Sequence, residues 1–349
     1  MAHEHYDGLT LFSGGLDSIL ATKVLQAQGL RVLGVHFVTP FFGAPDRLAH
    51  WQRTYDIPLQ AIDAGQAFVD MLLAGPESGF GKVLNPCVDC KILLLQLAKQ
   101  HMAAYSARFL ATGEVLGQRP MSQRSDTLQA IRKKADVEDI LVRPLSAQLL
   151  PPSAVEQQGI VNREHLLSVR GRGRKEQLRL AEQFGITEIP QPAGGCLLTE
   201  PESAKRYWPL LKRGHTPPAS DFHLANLGRQ FWADARWLCV GRNQSDNILL
   251  AETAAVDDFV FKLKDLPGPL ALARPLPGAQ WDETAIRSAA ALTASFSSKA
   301  RQHKEDILML VSHQGHTREL AISLDWAQDL PWREPDWDDV DKSRLPGGW

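Results

Sequence analysis

The segment that most constrains this chain is Ser13-Gly14-Gly15-Leu16-Asp17-Ser18. An apolar run at residues 9–12 precedes it and predicts a short buried strand, and residues 19–25 predict the helix that follows. A glycine pair between strand and helix lets backbone N–H groups approach an anion, and the helix N-terminus adds partial positive charge. The hydroxyls and N–H groups suit a pyrophosphate, while Asp17 suits a magnesium ion or orients the turn. No Gly-Lys-Ser/Thr follows, so this is not the Walker loop.

The first half of the chain alternates apolar runs with helical segments. Further strands are predicted at residues 31–37, 59–62, 108–112 and 140–144, and helices at 48–55 and 88–105. This alternation predicts a parallel sheet with right-handed crossovers, in which ligands bind at the carboxyl ends of the strands. Ser13 and Thr112 both fall at such ends.

The second half predicts a separate α+β domain. Its expected strands are residues 237–240, 247–251, 259–263, 271–273 and 307–311, with a helix over 283–298. The predicted organisation is a catalytic domain over 1–200, a linker over 201–220, a second domain over 221–326 and an acidic tail with little fixed structure over 327–349.

Composition sets the class of protein. A chain of 349 residues with 44% hydrophobic residues and a net charge of −2 predicts two soluble domains without overall basicity. No apolar stretch approaches the roughly 20 residues of a membrane helix. The first residues lack a signal pattern, so we expect no membrane partner and a cytoplasmic location. Four cysteines are too few for a disulfide framework.

Three of the cysteines predict a sulfur or metal site. Cys87 and Cys90 begin the long predicted helix, where a helix N-terminus favours the thiolate, and Cys196 follows a glycine pair. One hypothesis is a 4Fe–4S cluster held by all three, with one iron left open. A second is a persulfide on one cysteine that another resolves as a disulfide. Zinc is a third, although no fourth ligand is evident. Cys239 lies in an apolar run and predicts a core residue.

A basic segment lies between residues 163 and 179. Gly171 and Gly173 separate its cationic residues, among which we select four as candidate RNA contacts: Arg170, Arg172, Arg174 and Lys175. A local basic loop on a neutral protein suits a phosphate-rich partner, and the alternative is a solvated surface run.

The turn and the cysteines together resemble the PP-loop tRNA thiolation enzymes, the 2-thiouridine and 4-thiouridine synthases. Residues 85–90, Asn-Pro-Cys-Val-Asp-Cys, are similar to the Asn-Pro-Cys-x-x-Cys of 2-thiouridylases, and Cys196 stands about where those enzymes carry a second catalytic cysteine. Residues 111–114, Ala-Thr-Gly-Glu, are similar to their Ala-Thr-Gly-His, with Glu114 in place of histidine. The resemblance covers roughly residues 7–200.

This resemblance implies a Rossmann-like parallel sheet of the adenine nucleotide alpha hydrolase type, cleavage of ATP between its α and β phosphates, and Mg²⁺. The implied catalytic residues are Asp17, Cys87, Cys90 and Cys196. The implied nucleotide-binding residues are Ser13, Gly14, Gly15, Asp17, Ser18, His36, Thr112 and Gly113.

Residues 220–325 resemble the NFACT-type RNA-binding domain. The similarity lies in residues 240–249, 257–259, 266–269 and 289–297, and the family's aromatic-His pair is replaced by Phe259-Val260-Phe261. Arg242, Asn243 and Asn247, at a predicted strand-to-turn junction, are candidate contacts to RNA phosphates and base edges.

Taken together, the residues and resemblances predict an ATP-dependent tRNA sulfurtransferase. The expected partners are tRNA or another structured RNA, and a sulfur donor, either sulfide or a cysteine desulfurase. Two alternatives remain open at this point. One is a PP-loop ligase or synthetase acting on a small molecule, and the other is a non-catalytic RNA-binding adapter.

Overall fold

The computed structural model describes residues 5–191, 195–212, 216–303 and 305–341. Contacts divide the chain into two compact units, the first extending to Glu200 and the second comprising Pro201–Asp341. The expected Gly194 of the Cys196 turn and residues 213–215 of the expected linker lie outside the described residues.

The first unit is a parallel sheet with helices. Its elements in chain order are β1 (Gly8–Leu11), α1 (Leu16–Gln26), β2 (Val32–Val38), α2 (Leu48–Tyr55), β3 (Leu59–Asp63), α3 (Gly65–Ala74), α4 (Cys87–His101), β4 (Phe109–Thr112), α5 (Ser125–Lys134), β5 (Leu141–Val142), α6 (Ala154–Gln157) and α7 (Lys175–Gln183).

The strand order of this sheet, β3-β2-β1-β4-β5, fixes where its turns meet. The chain leaves β1 toward β2 on one side, and β4 later adds on the other side, so the order reverses at β1. Leu11 and Thr112 are register partners at the carboxyl ends of β1 and β4. The turns after these two strands therefore share one edge, at the switch point where open α/β sheets bind ligands.

The second unit is built on an antiparallel sheet. Its elements in chain order are α8 (Pro201–Leu211), α9 (Ala219–Ala225), β6 (Arg229–Ala233), β7 (Arg236–Val240), α10 (Gln244–Thr253), β8 (Phe259–Leu263), β9 (Leu270–Arg274), α11 (Glu283–Ser295), α12 (Ser298–Gln302), β10 (Ile307–His313) and β11 (His316–Ile322). The strand order is β11-β10-β8-β9-β7-β6. Alanines on α11 let that helix pack closely on the apolar face of the sheet.

The fold class predicted from the sequence is confirmed: a parallel Rossmann-like sheet is followed by an α+β unit with an antiparallel sheet. One prediction for the second unit is wrong: residues 247–251 are expected to form a strand, but they lie in α10. Asn243 caps this helix, its side chain accepting a hydrogen bond from the backbone N–H of Asp246. Of the apolar run that suggested a strand, Ile248 and Leu249 are exposed and Leu250 is buried.

The expected linker and tail also differ from the prediction. Residues 201–211 form α8, in which Tyr207 and Trp208 are buried. Proline at the first helical position favours this start, because its missing N–H needs no partner there. In the expected tail, the backbones of Arg333 and Trp232 exchange two hydrogen bonds, of 2.9 and 3.0 Å. The indole N–H of Trp332 donates to Ser288 Oγ at 2.9 Å. Aromatic packing thus orders residues 201–211 and the part of the expected tail around Trp332.

None of the helices among the described residues is both long and apolar enough to span a membrane.

Candidate functional site

The turn after β1 is organised by its own two hydroxyls. Ser18 Oγ donates to the carbonyl of Gly15 at 2.7 Å and accepts from Ser13 Oγ at 3.3 Å. Ser13 Oγ in turn accepts from the N–H of Gly15 at 3.4 Å. Ser18 is buried and Ser13 is exposed, so Ser18 holds the turn while Ser13 faces outward. This arrangement leaves the exposed part of the turn to meet an anion at the start of α1.

Gly14 is fixed by the aromatic ring beneath it. Its φ of +78° is a left-handed conformation, and a Cβ there would lie 2.5 Å from the ring of Trp51. Trp51 is buried and packs edge-on against Phe12, with ring centroids 5.8 Å apart. The glycine is therefore required by both conformation and space.

His36 serves the backbone around the turn. Its Nδ1 lies 2.9 Å from the carbonyl of Phe12, and its Nε2 accepts the N–H of Ala44 at 2.9 Å. Because Nε2 accepts, Nδ1 carries the proton and donates, which describes a neutral ring. Burial lowers the pKa of His36 from its ordinary value and keeps the ring neutral. Both ring nitrogens are thus hydrogen-bonded to the backbone around the turn, and the nucleotide contact that the resemblance implies for His36 stays a prediction.

The turn after β4 touches the start of α1 directly. A Cβ on Gly113 would lie 2.6 Å from the backbone carbonyl of Asp17 and from the N–H of Ser18. Only glycine permits this approach without moving the backbone. The preceding residue, Thr112, is buried and its hydroxyl donates to Glu114 Oε2 at 3.1 Å. The structure therefore brings Thr112 and Gly113 to the Ser13 turn, with Gly113 in contact and the Thr112 hydroxyl already in use.

Gln118 is a site residue that the sequence analysis missed. Its side-chain Nε2 donates to Asp17 Oδ2 at 3.0 Å. The residue lies outside the motifs from which the sequence analysis drew its site residues. The contact itself spans 101 positions of sequence and could not be read from local spacing.

A buried ion pair lies behind the turn. Arg143 Nε donates to Glu114 Oε2 at 3.0 Å, both side chains are about 3% exposed, and Arg143 also donates to the carbonyl of Leu128. Burial opposes ionisation of Glu114, but the charges of Arg143 and Lys91 outweigh it and hold the pKa of Glu114 below its ordinary value. The other carboxylate oxygen, Oε1, is buried and accepts no hydrogen bond within the described part of the chain.

Cys87 and Cys90 stand at the start of α4, as predicted. The side-chain amide of Asn85 donates to Cys87 Sγ at 3.1 Å, and Asn85 itself is buried. A donor aimed at sulfur, at the N-terminal end of a helix, suits a negatively charged sulfur species. Burial raises the pKa of Cys90 to about 12 despite the opposing charges of Lys91 and Arg119.

Cys196 lies beside that pair. The N–H of Leu197 donates to the carbonyl of Phe41 at 2.9 Å, and the N–H of Leu84 donates to the carbonyl of Leu198 at 3.1 Å. This pairing holds the Cys196 turn against the loop that leads into α4. Burial raises the pKa of Cys196 to about 12, and the thiols of Cys90 and Cys87 are close enough to raise it further. The three cysteines therefore share one neighbourhood.

This neighbourhood does not form a ready metal site. Across residues 5–191, 195–212, 216–303 and 305–341, no three His, Cys, Asp or Glu side chains are grouped to hold a metal ion. The donor types suit an iron–sulfur cluster, but their arrangement does not. Cys239, as predicted, is a buried core residue.

The loop after β4 reaches both the Ser13 turn and the thiols. Arg119 acts electrostatically on Cys90, and its chain neighbour Gln118 contacts Asp17. Lys91 acts on both Cys90 and Glu114. The segment that follows β4 therefore links the sulfur residues to the Ser13 turn.

The basic segment also joins this edge. Arg170 forms a parallel bridge with Leu116, and the N–H of Gly171 donates to the carbonyl of Leu116 at 2.8 Å. Arg170, Arg172 and Lys175 are exposed and Arg174 is half-buried. No described acidic side chain forms an ion pair with any of these four cations, which leaves their charges for a partner.

The three residues predicted in the second unit are engaged within the protein. Arg242 pairs with Asp246 at 2.7 Å. Asn243 caps α10, and Asn247 Oδ1 accepts the N–H of Leu270 at 3.0 Å while packing against Gly241. Asn243 and Asn247 therefore have structural roles, and Arg242 keeps an exposed guanidinium beside its carboxylate.

Comparison with known families locates two segments. Residues 4–148 match the family described as thiamine biosynthesis protein (ThiI), and residues 228–329 match the NFACT protein RNA-binding domain. Both resemblances drawn from the motifs are thereby confirmed. The first match contains the Ser13 turn, Cys87 and Cys90, whereas Cys196 and the basic segment lie beyond it. No curated protein matches the chain.

Several solved structures are similar to this chain. They include the U34-tRNA thiolase NcsA from Methanococcus maripaludis with its 4Fe–4S cluster (15% identity, 63% of this chain and 71% of that one, TM-score 0.31). Another is a predicted subunit of a tRNA methyltransferase from Methanocaldococcus jannaschii (16%, 39% and 67%, TM-score 0.28). A third is the C-terminal part of a fibronectin/fibrinogen-binding protein from Streptococcus suis (12%, 50% and 83%, TM-score 0.25). At these values the similarities say nothing about what this chain binds.

The buried Glu114–Arg143 pair yields a stability prediction. Arg143→Met should lower the free energy of unfolding by about 3–5 kcal/mol, because it leaves a buried carboxylate without its cation. Adding Glu114→Gln should recover much of that stability. The measurement is chemical unfolding at pH 7. The control variant is Lys99→Met, which breaks the exposed Lys99–Asp136 pair. It should lower the free energy of unfolding by at most about 1 kcal/mol.

The pH dependence provides the control. Folding lowers the pKa of Glu114. The ion pair therefore stabilises the folded protein at pH values above the pKa that Glu114 has in the unfolded chain. This contribution is lost as the pH falls through the pKa that Glu114 has in the folded protein. Wild type should therefore lose more stability on acidification than Glu114→Gln. If the free energy of unfolding falls equally steeply with pH in the two proteins, the ionised Glu114–Arg143 pair is contradicted.

Proposed function

We propose that this chain is an ATP-dependent tRNA sulfurtransferase that adenylates a nucleobase carbonyl and replaces its oxygen with sulfur. The observation that carries the proposal is that the loop after β4 serves both places: Gln118 donates to Asp17 of the Ser13–Ser18 turn, and its neighbour Arg119 acts electrostatically on Cys90. An activating site and a sulfur site must be adjacent if one base is to react at both. The ThiI match over residues 4–148 and the NFACT match over residues 228–329 support a substrate that is an RNA.

The first step uses the turn. The carbonyl oxygen of the base attacks the α-phosphorus of ATP, the bond to the β-phosphate oxygen breaks, and pyrophosphate leaves. The N–H groups of the turn and the start of α1 stabilise the negative charge that develops on the leaving group. Asp17 is the side chain placed to hold Mg²⁺, which would neutralise phosphate charge when bound. The single carboxylate fits that ion, because Mg²⁺ usually takes one or two protein carboxylates and completes its shell with phosphates and water.

The second step uses the thiols. A sulfur nucleophile attacks the activated carbon, and AMP leaves with the original oxygen. We assign the carrier role to Cys87, whose sulfur faces the Asn85 donor. Its thiolate attacks the outer sulfur of a persulfide on a cysteine desulfurase, the desulfurase cysteine leaves as a thiolate, and Cys87 becomes the persulfide. The terminal sulfur bonds to the base, and the thiolate of Cys90 or Cys196 then attacks Cys87 Sγ. That attack releases the thiolated base and leaves a disulfide, which an external dithiol must reduce.

RNA binding is assigned to the cations of the basic segment. This segment is hydrogen-bonded to the loop that contacts Asp17, so phosphates held there lie beside the activation site. A paired base cannot enter such a site, so the target base is expected in a loop or flipped out of its helix.

The nucleotide step is tested on Asp17 and Ser13. Asp17→Ala and Ser13→Ala should each abolish tRNA-dependent exchange of labelled pyrophosphate into ATP while the protein stays folded, as thermal unfolding will show, because each change removes only local hydrogen bonds of the turn and no core side chain. Wild-type exchange that is stimulated equally by a small-molecule acceptor would favour the ligase alternative. Absence of ATP binding in the wild type would favour the non-catalytic adapter.

The sulfur step is tested on Cys87 with Cys239 as control. Cys87→Ser should abolish thiolated nucleoside, measured by mass spectrometry of digested tRNA, yet retain pyrophosphate exchange, whereas Cys239→Ser should retain both if it folds. A different result would establish the 4Fe–4S cluster that the sequence predicted. Anaerobically purified protein would then contain iron and absorb visible light, and it would lose both in each of the variants Cys87→Ser, Cys90→Ser and Cys196→Ser.

RNA binding is tested through salt dependence. Arg170→Gln/Arg172→Gln should weaken tRNA binding and reduce the slope of log affinity against log salt by about one for each phosphate that is no longer neutralised. The matched control, Arg53→Gln/Lys133→Gln, removes two exposed cations from α2 and α5. If both pairs change the slope equally, the basic segment is only one part of a general charge effect.

A further inference from the structure

The carboxylate of Asp17 is contacted by one described side chain. Gln118 Nε2 donates to Asp17 Oδ2 at 3.0 Å in a half-buried setting. No described residue hydrogen-bonds the other oxygen, Oδ1. The carboxylate is thus held on one side and open on the other.

The backbone that carries Gln118 is itself anchored. The N–H of Leu116 donates to Ser146 Oγ at 2.9 Å, and its carbonyl accepts from Gly171 at 2.8 Å. Gly117 has a φ of +77°, which glycine adopts without strain, and its N–H donates to the carbonyl of Gln123 at 2.7 Å. These bonds fix the loop from both sides, so the Gln118 amide reaches Asp17 from a set position.

We propose that Gln118 is a positioning residue for the magnesium ion that accompanies ATP. A donor on Oδ2 restrains rotation of the Asp17 carboxylate and leaves Oδ1 for the cation. Hydrogen bonds of this kind orient carboxylate ligands and tune their affinity for a metal. The inference rests on the proposed function, because it requires the Ser13 turn to bind ATP with Mg²⁺.

A second role for the bond must be separated from this one. The same hydrogen bond also ties the loop after β4 to the start of α1, and breaking that tie would disturb the turn with or without metal. Dependence on Mg²⁺ distinguishes the two roles, because a carboxylate that binds no metal gains nothing from being oriented toward one.

The test measures ATP binding by calorimetry in the full chain, with Mg²⁺ and then with EDTA. Gln118→Met preserves side-chain length and removes the donor. We expect the ATP affinity of this variant to fall about tenfold with Mg²⁺ and to stay unchanged in EDTA. A tenfold loss is the lower end of the usual effect of removing a residue that hydrogen-bonds a metal ligand. Gln66→Met is the matched control, since it removes a similar Gln–Asp bond of 2.8 Å to the exposed Asp70. Gln118→Asn provides a second variant that keeps the amide but shortens its reach.

Each outcome supports or overturns the proposal. An equal fall in affinity with Mg²⁺ and with EDTA would assign the bond a structural role and overturn the inference, as would unchanged binding in both conditions. If the wild type binds ATP with a normal Mg²⁺ dependence that Gln118→Met leaves intact, only the inference fails. If the wild type binds no ATP, the proposed function fails and takes the inference with it.

Discussion

The close approach of Gly113 to the backbone of Asp17 and Ser18 is the constraint on which the site depends. Register between β1 and β4 brings the two turns to one edge, and the missing side chain at Gly113 lets them touch. The segment from Glu114 to Gln118 follows directly from this contact. Glu114 enters the interior, Gln118 turns back to Asp17, and Leu116 pairs with the basic segment. A side chain at position 113 would separate these elements by the width of a methyl group.

Buried charge stabilises this arrangement at a cost in desolvation. Glu114 and Arg143 are nearly inaccessible to water, and ion pairs in such places contribute less to stability than their removal would suggest. Their value lies in geometry, because Arg143 also binds the carbonyl of Leu128 and thereby joins β5 to α5 behind the nucleotide turn. Lys91 adds a second positive charge from the first turns of α4. The same lysine thus acts on the thiol of Cys90 and on the buried carboxylate of Glu114.

The sulfur neighbourhood combines two chemical settings. Cys87 has an amide donor on its sulfur at a helix start, whereas Cys90 and Cys196 are thiols whose pKa values burial raises to about 12. Half-buried thiols with raised pKa values become nucleophiles only after losing a proton.

The sequence by itself determined three features, because each follows from a local pattern. Alternation of strands and helices predicts the parallel sheet, and glycines before a helix predict the turn after β1. The Cys-x-x-Cys spacing places Cys87 and Cys90 within one helical turn. It also indicated a second, α+β unit through the run of apolar segments with a helix that begins after residue 236, whereas the antiparallel order of its strands came from the structure. Tertiary structure alone decided the rest. Packing of Trp208 and Trp332 orders residues 201–211 and the residues around Trp332, which composition marked as linker and tail. Asn243 caps a helix where the apolar run of residues 247–251 had predicted a strand. His36 gained a hydrogen bond to the carbonyl of Phe12, and Gln118 gained a role, through contacts between residues far apart in sequence. Local pattern carries no information about such contacts, since they depend on which turns the sheet brings to the same edge.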